Sequence, residues 1–287
     1  MDATARDETS RAGLIRVVVS QHPSCLDAAA NRARASAAVA NAAEMRPDVV
    51  VLPEAAMHDF GSPDLDLAAV AEPLDGPFVE TLSAAAAAAD AVVVAGMFEL
   101  RTENGRLATP YNTVVAMAPN GRLLARYRKL HLYDAFSHRE SDRLSAGDEN
   151  PPVFEVGGVR LGIITCYDLR FPEVARTVVD AGAAVQLIPA AWVPGRQKVQ
   201  QWQALLAARA IENMTYVVGA AQPGPVYSGH SAIIDPMGVV VASTGEAPAL
   251  VTASVDSLRV SAARRVNPSL ANRRFTVTGP HASRRLG

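Results

Sequence analysis

The sequence predicts a single α/β domain in which mixed β-sheets stack on one another and helices cover the outside. Helical and strand-like segments alternate along the first part of the chain, and strand pairs joined by short turns interleave later. With 287 residues, of which 49% are apolar, the chain can bury a sizeable core. No internal repeat or low-complexity linker divides the chain, so we expect one domain.

Helices are predicted where alanine-rich or amphipathic stretches run without glycine or an interior proline. Asp27 to Met45 is rich in alanine and stops before Pro47, which cannot continue a helix. Pro172 suits the first turn of a helix, where its missing N–H has no partner to lose. The other predicted helices span residues 78–89, 172–180 and 198–213.

Strands are predicted where short runs of β-branched and apolar residues lie between turn signals. Asn120-Gly121 and Gly157-Gly158 each separate two such runs and predict hairpins, while Asn104-Gly105 and 236–238 predict further turns. The predicted strands are 15–21, 49–53, 91–99, 111–118, 123–128, 153–156, 159–165, 185–189, 216–221, 231–235, 239–242 and 250–255.

The two ends of the chain are expected to lie outside the main domain. Residues 1–12 are polar and mixed in charge, which predicts a flexible extension before a domain of residues 13–262. Residues 263–287 form a less regular tail with several arginines, and a solvated tail is the simplest interpretation.

Charge and cysteine content argue against several classes of partner. The formal net charge of −2 gives no electrostatic case for binding nucleic acid or an anionic membrane. We find no signal-peptide pattern and no run of about 18 apolar residues that would span a bilayer. The two cysteines, Cys25 and Cys166, make no disulfide framework, so we expect a reduced, cytoplasmic protein.

A glutamate, a lysine and a cysteine each lie at or just past the end of a predicted strand. Glu54 closes the run VVVLPE, Lys129 follows strand 123–128, and Cys166 follows strand 159–165. Open α/β sheets bind ligands at that edge. Taken singly, each residue has a plainer interpretation, as a buried thiol, a surface carboxylate or a solvated lysine.

Three motifs around these residues resemble the nitrilase, or carbon–nitrogen hydrolase, superfamily. LPE ends at Glu54, YRKLHL contains Lys129 and CYDLRFPE begins at Cys166, in the order of the family's triad. The resemblance covers about residues 15–256 and implies an α-β-β-α sandwich without a metal or organic cofactor. It also implies that Cys166 is the nucleophile, Glu54 the general base and Lys129 the stabiliser of the oxyanion.

Further residues are assigned by the same resemblance. Glu140, in SHRESDRLSAGD, matches a second family glutamate that holds the lysine and positions substrate. The backbone N–H of Tyr167 is expected to face the oxyanion. The segment PAAWVPGRQKVQQW departs from the omega-amidase pattern, and within it Trp192 to Gln197 is expected to help shape the pocket. Arg170 resembles an arginine with which related carbamoylases hold a substrate carboxylate; an internal ion pair with Asp168 or Glu173 is the alternative.

The residues after the cysteine resemble the amidase-type branch, which includes omega-amidase and deaminated-glutathione amidase. True nitrilases usually carry Trp-Glu where this chain has Tyr167-Asp168. The expected reaction is hydrolysis of a small carboxamide through a cysteine thioester, with release of ammonia and a carboxylic acid. Hydrolysis of N-carbamoyl amino acids and a non-catalytic binding scaffold remain open. The resemblance also implies a homodimer or higher homo-oligomer, in which segment 263–287 clasps the partner.

Histidine offers a different interpretation of the cysteine. Cys166 with His131 and Asp134 would form a protease-like triad. No local signature of a cysteine protease surrounds Cys166, and this grouping leaves the glutamate–lysine pair unexplained. The remaining histidines show no metal-ligand spacing, so no zinc site is expected.

Overall fold

Two six-stranded β-sheets stack face to face at the centre of the computed structural model, which describes residues 12–280. Helices cover the outer face of each sheet, which confirms the predicted α-β-β-α sandwich. The strands are β1 (Leu14–Gln21), β2 (Val49–Val51), β3 (Val92–Glu103), β4 (Arg106–Met117), β5 (Leu123–Arg128), β6 (Val153–Val156), β7 (Val159–Ile163), β8 (Val185–Ala190), β9 (Tyr216–Ala221), β10 (Ala232–Ile234), β11 (Val240–Ser243) and β12 (Ala249–Asp256). The helices are α1 (Ala28–Ala43), α2 (Pro77–Ala89), α3 (Pro172–Asp180), α4 (Lys198–Asn213) and α5 (Ser257–Val266).

Both sheets are mixed, with three parallel strands that adjoin antiparallel ones. The first sheet has the order β12-β1-β2-β3-β4-β5, and β1, β2 and β3 run parallel. The second sheet has the order β11-β10-β9-β8-β7-β6, and β7, β8 and β9 run parallel. The parallel strands direct their carboxyl ends to one edge of each sheet, which is where side chains of a site can gather.

The core forms three apolar layers because side chains alternate between the two faces of a strand. In β1, Val17 and Val19 belong to the layer between the sheets, with Leu161 of the second sheet. Val18 belongs instead to the layer under α1 and α2. Trp202 of α4 lies in the third layer, on the outer face of the second sheet. Within residues 12–280, no helix is both long and apolar enough to cross a membrane.

The β3–β4 hairpin is longer than predicted. Its strands continue to a tight turn at Asn104 and Gly105, whose φ angles are 50° and 73°. Residues 100–110 are mostly polar and exposed, so the outer arm of the hairpin lacks the apolar alternation from which the inner part was predicted.

The fifth helix was not predicted, because the segment SLRVSAARRV is rich in arginine and has no clear apolar face. Its start is capped by Asp256, whose Oδ1 accepts a hydrogen bond from the N–H of Leu258 at 2.8 Å. The helix crosses the boundary that we expected between residues 262 and 263. Arg264 then donates to the carbonyl of Ala183, and Arg273 pairs with Asp180 at 2.6 Å, so the tail packs on its own chain as far as residue 273. Residues 1–11 of the expected N-terminal extension and residues 281–287 of the expected tail lie outside the described residues.

Cys166 opens a short 3₁₀ turn, Cys166–Arg170, between β7 and α3. Its φ of 45° is in the left-handed region, which a residue with a side chain adopts only when its surroundings hold it there. Pro172 begins α3 directly afterwards, as predicted. The backbone therefore turns sharply at the cysteine and presents it at the end of the strand.

Asp168 holds this turn against the end of β5. The Asp168 side chain is fully buried, and its Oδ2 accepts hydrogen bonds from the N–H of Thr165 at 3.1 Å and from the hydroxyl of Tyr127 at 2.7 Å. Its Oδ1 accepts from the N–H of His131 at 3.1 Å and lies 2.9 Å from Nδ1 of the same residue. Because Lys129 lies between Tyr127 and His131, Asp168 sets the position of the cysteine turn relative to the lysine.

We expect Asp168→Ala to lower the free energy of unfolding by at least about 3 kcal/mol, because it leaves several buried donors without an acceptor. Asp142→Ala is the matched control, since Asp142 is exposed and pairs only with exposed Arg139 among the described residues. That change is expected to cost less than about 0.5 kcal/mol. Urea unfolding of both variants measures the difference. Equal, small losses would show that Asp168 does not hold the turn.

Candidate active site

The ends of three strands bring Glu54, Lys129 and Cys166 together, as predicted. Glu54 follows β2 and Lys129 follows β5, both in the first sheet, while Cys166 follows β7 in the second sheet. All three side chains are buried. The site therefore lies where the ends of the two sheets meet, and neither sheet alone contains it.

The ammonium group of Lys129 is the centre of the polar contacts. Its Nζ lies 2.9 Å from Oε1 of Glu54, 3.1 Å from Oε1 of Glu140 and 2.9 Å from Oε2 of Glu140. Asn112 donates from Nδ2 to both carboxylates, at 2.7 Å and 2.9 Å. The backbone N–H of Tyr133 also donates to Glu140. Glu140 thus holds the lysine, in the position that the family resemblance implies.

The second oxygen of Glu54 faces the other sheet. Oε2 of Glu54 accepts a hydrogen bond from the N–H of Ala191 at 2.7 Å. The side chain of Gln222 donates to the backbone carbonyl of Glu54 at 2.9 Å. Gly96 of β3 packs directly behind it, since a Cβ at that position would lie 2.6 Å from the Cα of Glu54. The orientation of the carboxylate is therefore set by backbone contacts as well as by Lys129.

Burial and charge give the thiol and the ammonium group opposite protonation tendencies. Burial raises the pKa of the Cys166 thiol well above its usual value, and the charge of Glu54 raises it further, against the opposing effect of Lys129. Burial alone would lower the pKa of Lys129, but the charges of Glu140 and Glu54 outweigh it and place that pKa well above its usual value. These shifts favour the neutral form of the thiol and the charged form of the lysine.

A cavity of about 450 Å³ opens on these groups. Tyr167 and Trp192, both expected to contact substrate, line it together with Glu54, Lys129 and Cys166. Its other lining includes aromatic side chains and charged side chains of both signs: Phe60, Tyr133, Tyr227, His138, Arg139, Arg143, Lys198, Asp59 and Asp142. A small substrate with an apolar part and a polar end suits such a lining.

Arg170, the expected carboxylate anchor, is not among the residues that line this cavity. Its guanidinium donates to Oε1 of Gln201 at 2.6 Å and lies 5.1 Å from the ring centre of Trp192. Within the described chain it forms no ion pair with Asp168 or Glu173 either, so the structure shows neither of the two arrangements that the sequence suggested.

Sequence reasoning missed Asn112, Tyr133, Arg143 and Lys198, which surround the three central groups. Tyr133 lies four residues after Lys129, and Lys198 lies six residues after Trp192, so closeness to a predicted site residue was the available signal. Asn112 lies within a predicted strand. That strand was predicted from its apolar residues, and such a pattern gives no reason to single out an amide side chain.

The protease-like triad does not form. His131 contacts Asp168 rather than Asp134, its ring stacks on Phe171 with 3.7 Å between ring centres, and it does not line the cavity. Asp134 instead accepts a hydrogen bond from the N–H of Ser141. In the described part of the chain, no group of three His, Cys, Asp or Glu residues could hold a metal ion.

Comparison with known proteins finds relatives that match most of this chain. A model of the carbon–nitrogen hydrolase family matches residues 16–265. A deaminated glutathione amidase of Escherichia coli O157:H7 is 42% identical over 238 residues, which cover 83% of this chain and 88% of that protein.

Solved structures with the same fold include two relatives of interest. Nit3 of Saccharomyces cerevisiae, a member of branch 10 of the nitrilase superfamily, is 28% identical with a TM-score of 0.81, over 92% of this chain and 97% of that one. A mutant amidase of Nesterenkonia sp. AN1 is 25% identical with a TM-score of 0.75, over 90% of this chain and 96% of that one, and shows covalent addition of the acetamide moiety of fluoroacetamide at its active-site cysteine. As its three motifs predict, this chain belongs to the carbon–nitrogen hydrolase family, whose amidases hydrolyse amide C–N bonds.

Proposed function

We propose that this protein hydrolyses the C–N bond of small carboxamides through a thioester on Cys166, with Glu54 as general base and Lys129 as the stabiliser of the oxyanion. The observation that carries the proposal is the buried ammonium group of Lys129, held between Glu54 and Glu140 at the cavity that Cys166 also lines. Such a group serves carbonyl chemistry because it offers a fixed positive charge to the oxygen that becomes negative.

In the first half of the reaction, the sulfur of Cys166 attacks the amide carbon while Glu54 takes the thiol proton. A base is needed because the raised pKa of the buried thiol leaves little thiolate at neutral pH. Lys129 cannot be that base, since its own raised pKa keeps it protonated. The tetrahedral oxyanion faces Lys129, and Glu54 then gives its proton to the departing ammonia.

In the second half, a water molecule attacks the thioester and Glu54 removes a proton from it. The tetrahedral intermediate collapses, the carbon–sulfur bond breaks, and the proton on Glu54 returns to the sulfur of Cys166. The products are a carboxylic acid and the free enzyme. The steps balance without an oxidant, a reductant or a further co-reactant.

Which amide the protein hydrolyses is a separate proposal. The Escherichia coli O157:H7 relative is named for deaminated glutathione, so amides of that kind are the first candidates. N-carbamoyl amino acids are a second candidate, since they present the same carbonyl carbon beside a leaving amine. A screen for ammonia release from amides, nitriles and N-carbamoyl acids separates these classes.

We expect Cys166→Ala to abolish hydrolysis of every substrate found in that screen, because only the sulfur can form the thioester. Cys25→Ala is the matched control, since Cys25 lies in the segment just before α1 and does not line the cavity. Mass spectrometry of the native protein with a slow substrate should find an acyl adduct on Cys166. An adduct on Cys25, or turnover by Cys166→Ala, would contradict the mechanism.

We also expect Glu54→Gln and Lys129→Ala each to reduce kcat by at least about 100-fold, because one removes the proton acceptor and the other the charge that faces the oxyanion. Their effects should not add in the double variant, since the two groups act together. Glu103→Gln removes an exposed carboxylate at the far end of β3 and is the control. Steady-state kinetics on one amide measure these effects, and near-normal turnover by Lys129→Ala would refute the role of the lysine.

We further propose that the protein is at least a homodimer, as the family resemblance implies. An exposed apolar surface supports this: Met237, Val239 and Val240 are each about half exposed or more. Ile211 of α4 continues it, because it lies against Gly238 in the same turn. Such a continuous patch is typical of a surface that another copy covers. The clasping role of the tail and the cytoplasmic location stay predictions.

Sedimentation velocity should therefore find a dimer or larger species, and Val240→Glu should shift it toward the monomer, because a buried unpaired charge weakens an interface. Leu107→Glu is the control, since Leu107 is also more than half exposed but lies near the tip of the β3–β4 hairpin. A monomer at all practical concentrations would rule out the proposal.

A further inference from the structure

Lys198 has no role in the mechanism above, although it lines the same cavity as Cys166. It is the first residue of α4, and only 4% of it is exposed. The chain contains just two lysines, Lys129 and Lys198, and both of them line this cavity. Every other permanently charged basic side chain is an arginine, so among the side chains a compact ammonium group occurs only at this site.

The backbone of Lys198 is held firmly, which fixes the origin of its side chain. Its carbonyl accepts a hydrogen bond from Nε1 of Trp192 at 2.9 Å, and its N–H donates to the carbonyl of Gly195 at 3.1 Å. The ammonium group lies 4.9, 4.6 and 4.8 Å from the ring centres of Tyr133, Phe136 and Trp192. These rings favour a cation at this place.

The rings do not satisfy the hydrogen-bonding capacity of the ammonium group. Lys198 donates one hydrogen bond to the hydroxyl of Tyr133, at 3.0 Å. An ammonium group has three donors. No carboxylate of residues 12–280 lies within ion-pair distance of it. Two donors of a largely buried cation are therefore left for a group that enters the cavity.

In the absence of a bound anion, the charged side chain of Lys198 destabilises the folded protein. A positive charge in the first turn of a helix opposes the helix dipole. Burial, and next the positive charge of Arg170, lower the pKa of Lys198 below its usual value, so both disfavour its charged form. A buried cation that no protein carboxylate balances is stabilised when an anion binds.

We propose that Lys198 binds the carboxylate of the substrate and so selects amides whose far end is anionic. This inference rests on the proposed amidase function and adds the residue that decides between acidic and neutral amides. In this binding mode the reactive amide lies over Cys166. The carboxylate at the other end of the substrate accepts hydrogen bonds from the two free donors of Lys198.

The other cationic side chains of the cavity are already engaged. Arg143 donates to the backbone carbonyls of Leu65 and Phe60. Arg139 is exposed and pairs with Asp142 at 3.1 Å. Lys198 differs from both because it is buried and keeps free donors at the cavity.

The test compares the monoamides of succinic and glutaric acid with their methyl esters, which have nearly the same shape but no charge. We expect Lys198→Met to raise KM for the acids about 10- to 100-fold and to change KM for the esters little, because it removes a charge-assisted hydrogen bond. Thermal stability should stay equal or rise, since methionine fits among the rings without a buried charge. Lys198→Arg should keep the preference for the acids.

Arg196→Gln is the matched control, because it removes one positive charge from an exposed position that lies two residues before Lys198. It should leave both KM values unchanged. Equal losses for acids and esters in Lys198→Met, with a lower melting temperature, would overturn the inference and make Lys198 a structural residue.

Calorimetry with the Cys166→Ala variant separates this inference from the proposed function. The intact acid amide should bind to that variant and should lose most of its affinity when Lys198→Met is added. If the native enzyme hydrolyses no amide while this Lys198-dependent binding persists, the proposed function fails and the anion site stands. If hydrolysis occurs but the esters bind as well as the acids, the anion site fails and the function stands.

Discussion

The buried ammonium group of Lys129 is the constraint on which the rest of the site depends. Removing a charged amine from water costs several kcal/mol unless opposite charges surround it. Here Glu54 from the end of β2 and Glu140 from a 3₁₀ turn after β5 both contact it, and Asn112 joins the two carboxylates. The ion cluster is therefore stable only when the first sheet and the loop after β5 are in place together.

This cluster explains how one small cavity can be lined by a thiol, a charged amine and a base together. The same burial that raises the pKa of Cys166 would lower that of Lys129, but the charges of Glu140 and Glu54 both act to raise the pKa of the lysine. Because Glu140 also accepts hydrogen bonds from the ammonium group, Glu54 keeps oxygen lone pairs that can take the thiol proton. The division of roles follows from the number of carboxylates around one cation, without any unusual side chain.

The two sheets have to be aligned closely for this chemistry, because the nucleophile comes from one sheet and the base from the other. Asp168 provides part of the alignment, since it ties the cysteine turn to residues on both sides of Lys129. The N–H of Ala191, at the end of β8, provides another part by its bond to Glu54. Polar contacts between the sheet ends thus set the site, while the apolar layer between the sheets sets only their separation.

The sequence by itself determined the sandwich fold, the order of the main elements and the three residues at the ends of β2, β5 and β7. Those features are encoded in neighbouring residues, as runs of β-branched side chains, turn dipeptides and motifs. Helix α5 escaped prediction because its stability comes from a cap and from packing rather than from an apolar face. Only the tertiary structure decided that Lys198 lines the cavity and that Arg170 does not. Which side chains meet across a cavity depends on how two distant segments turn toward each other, and no local pattern of residues records that.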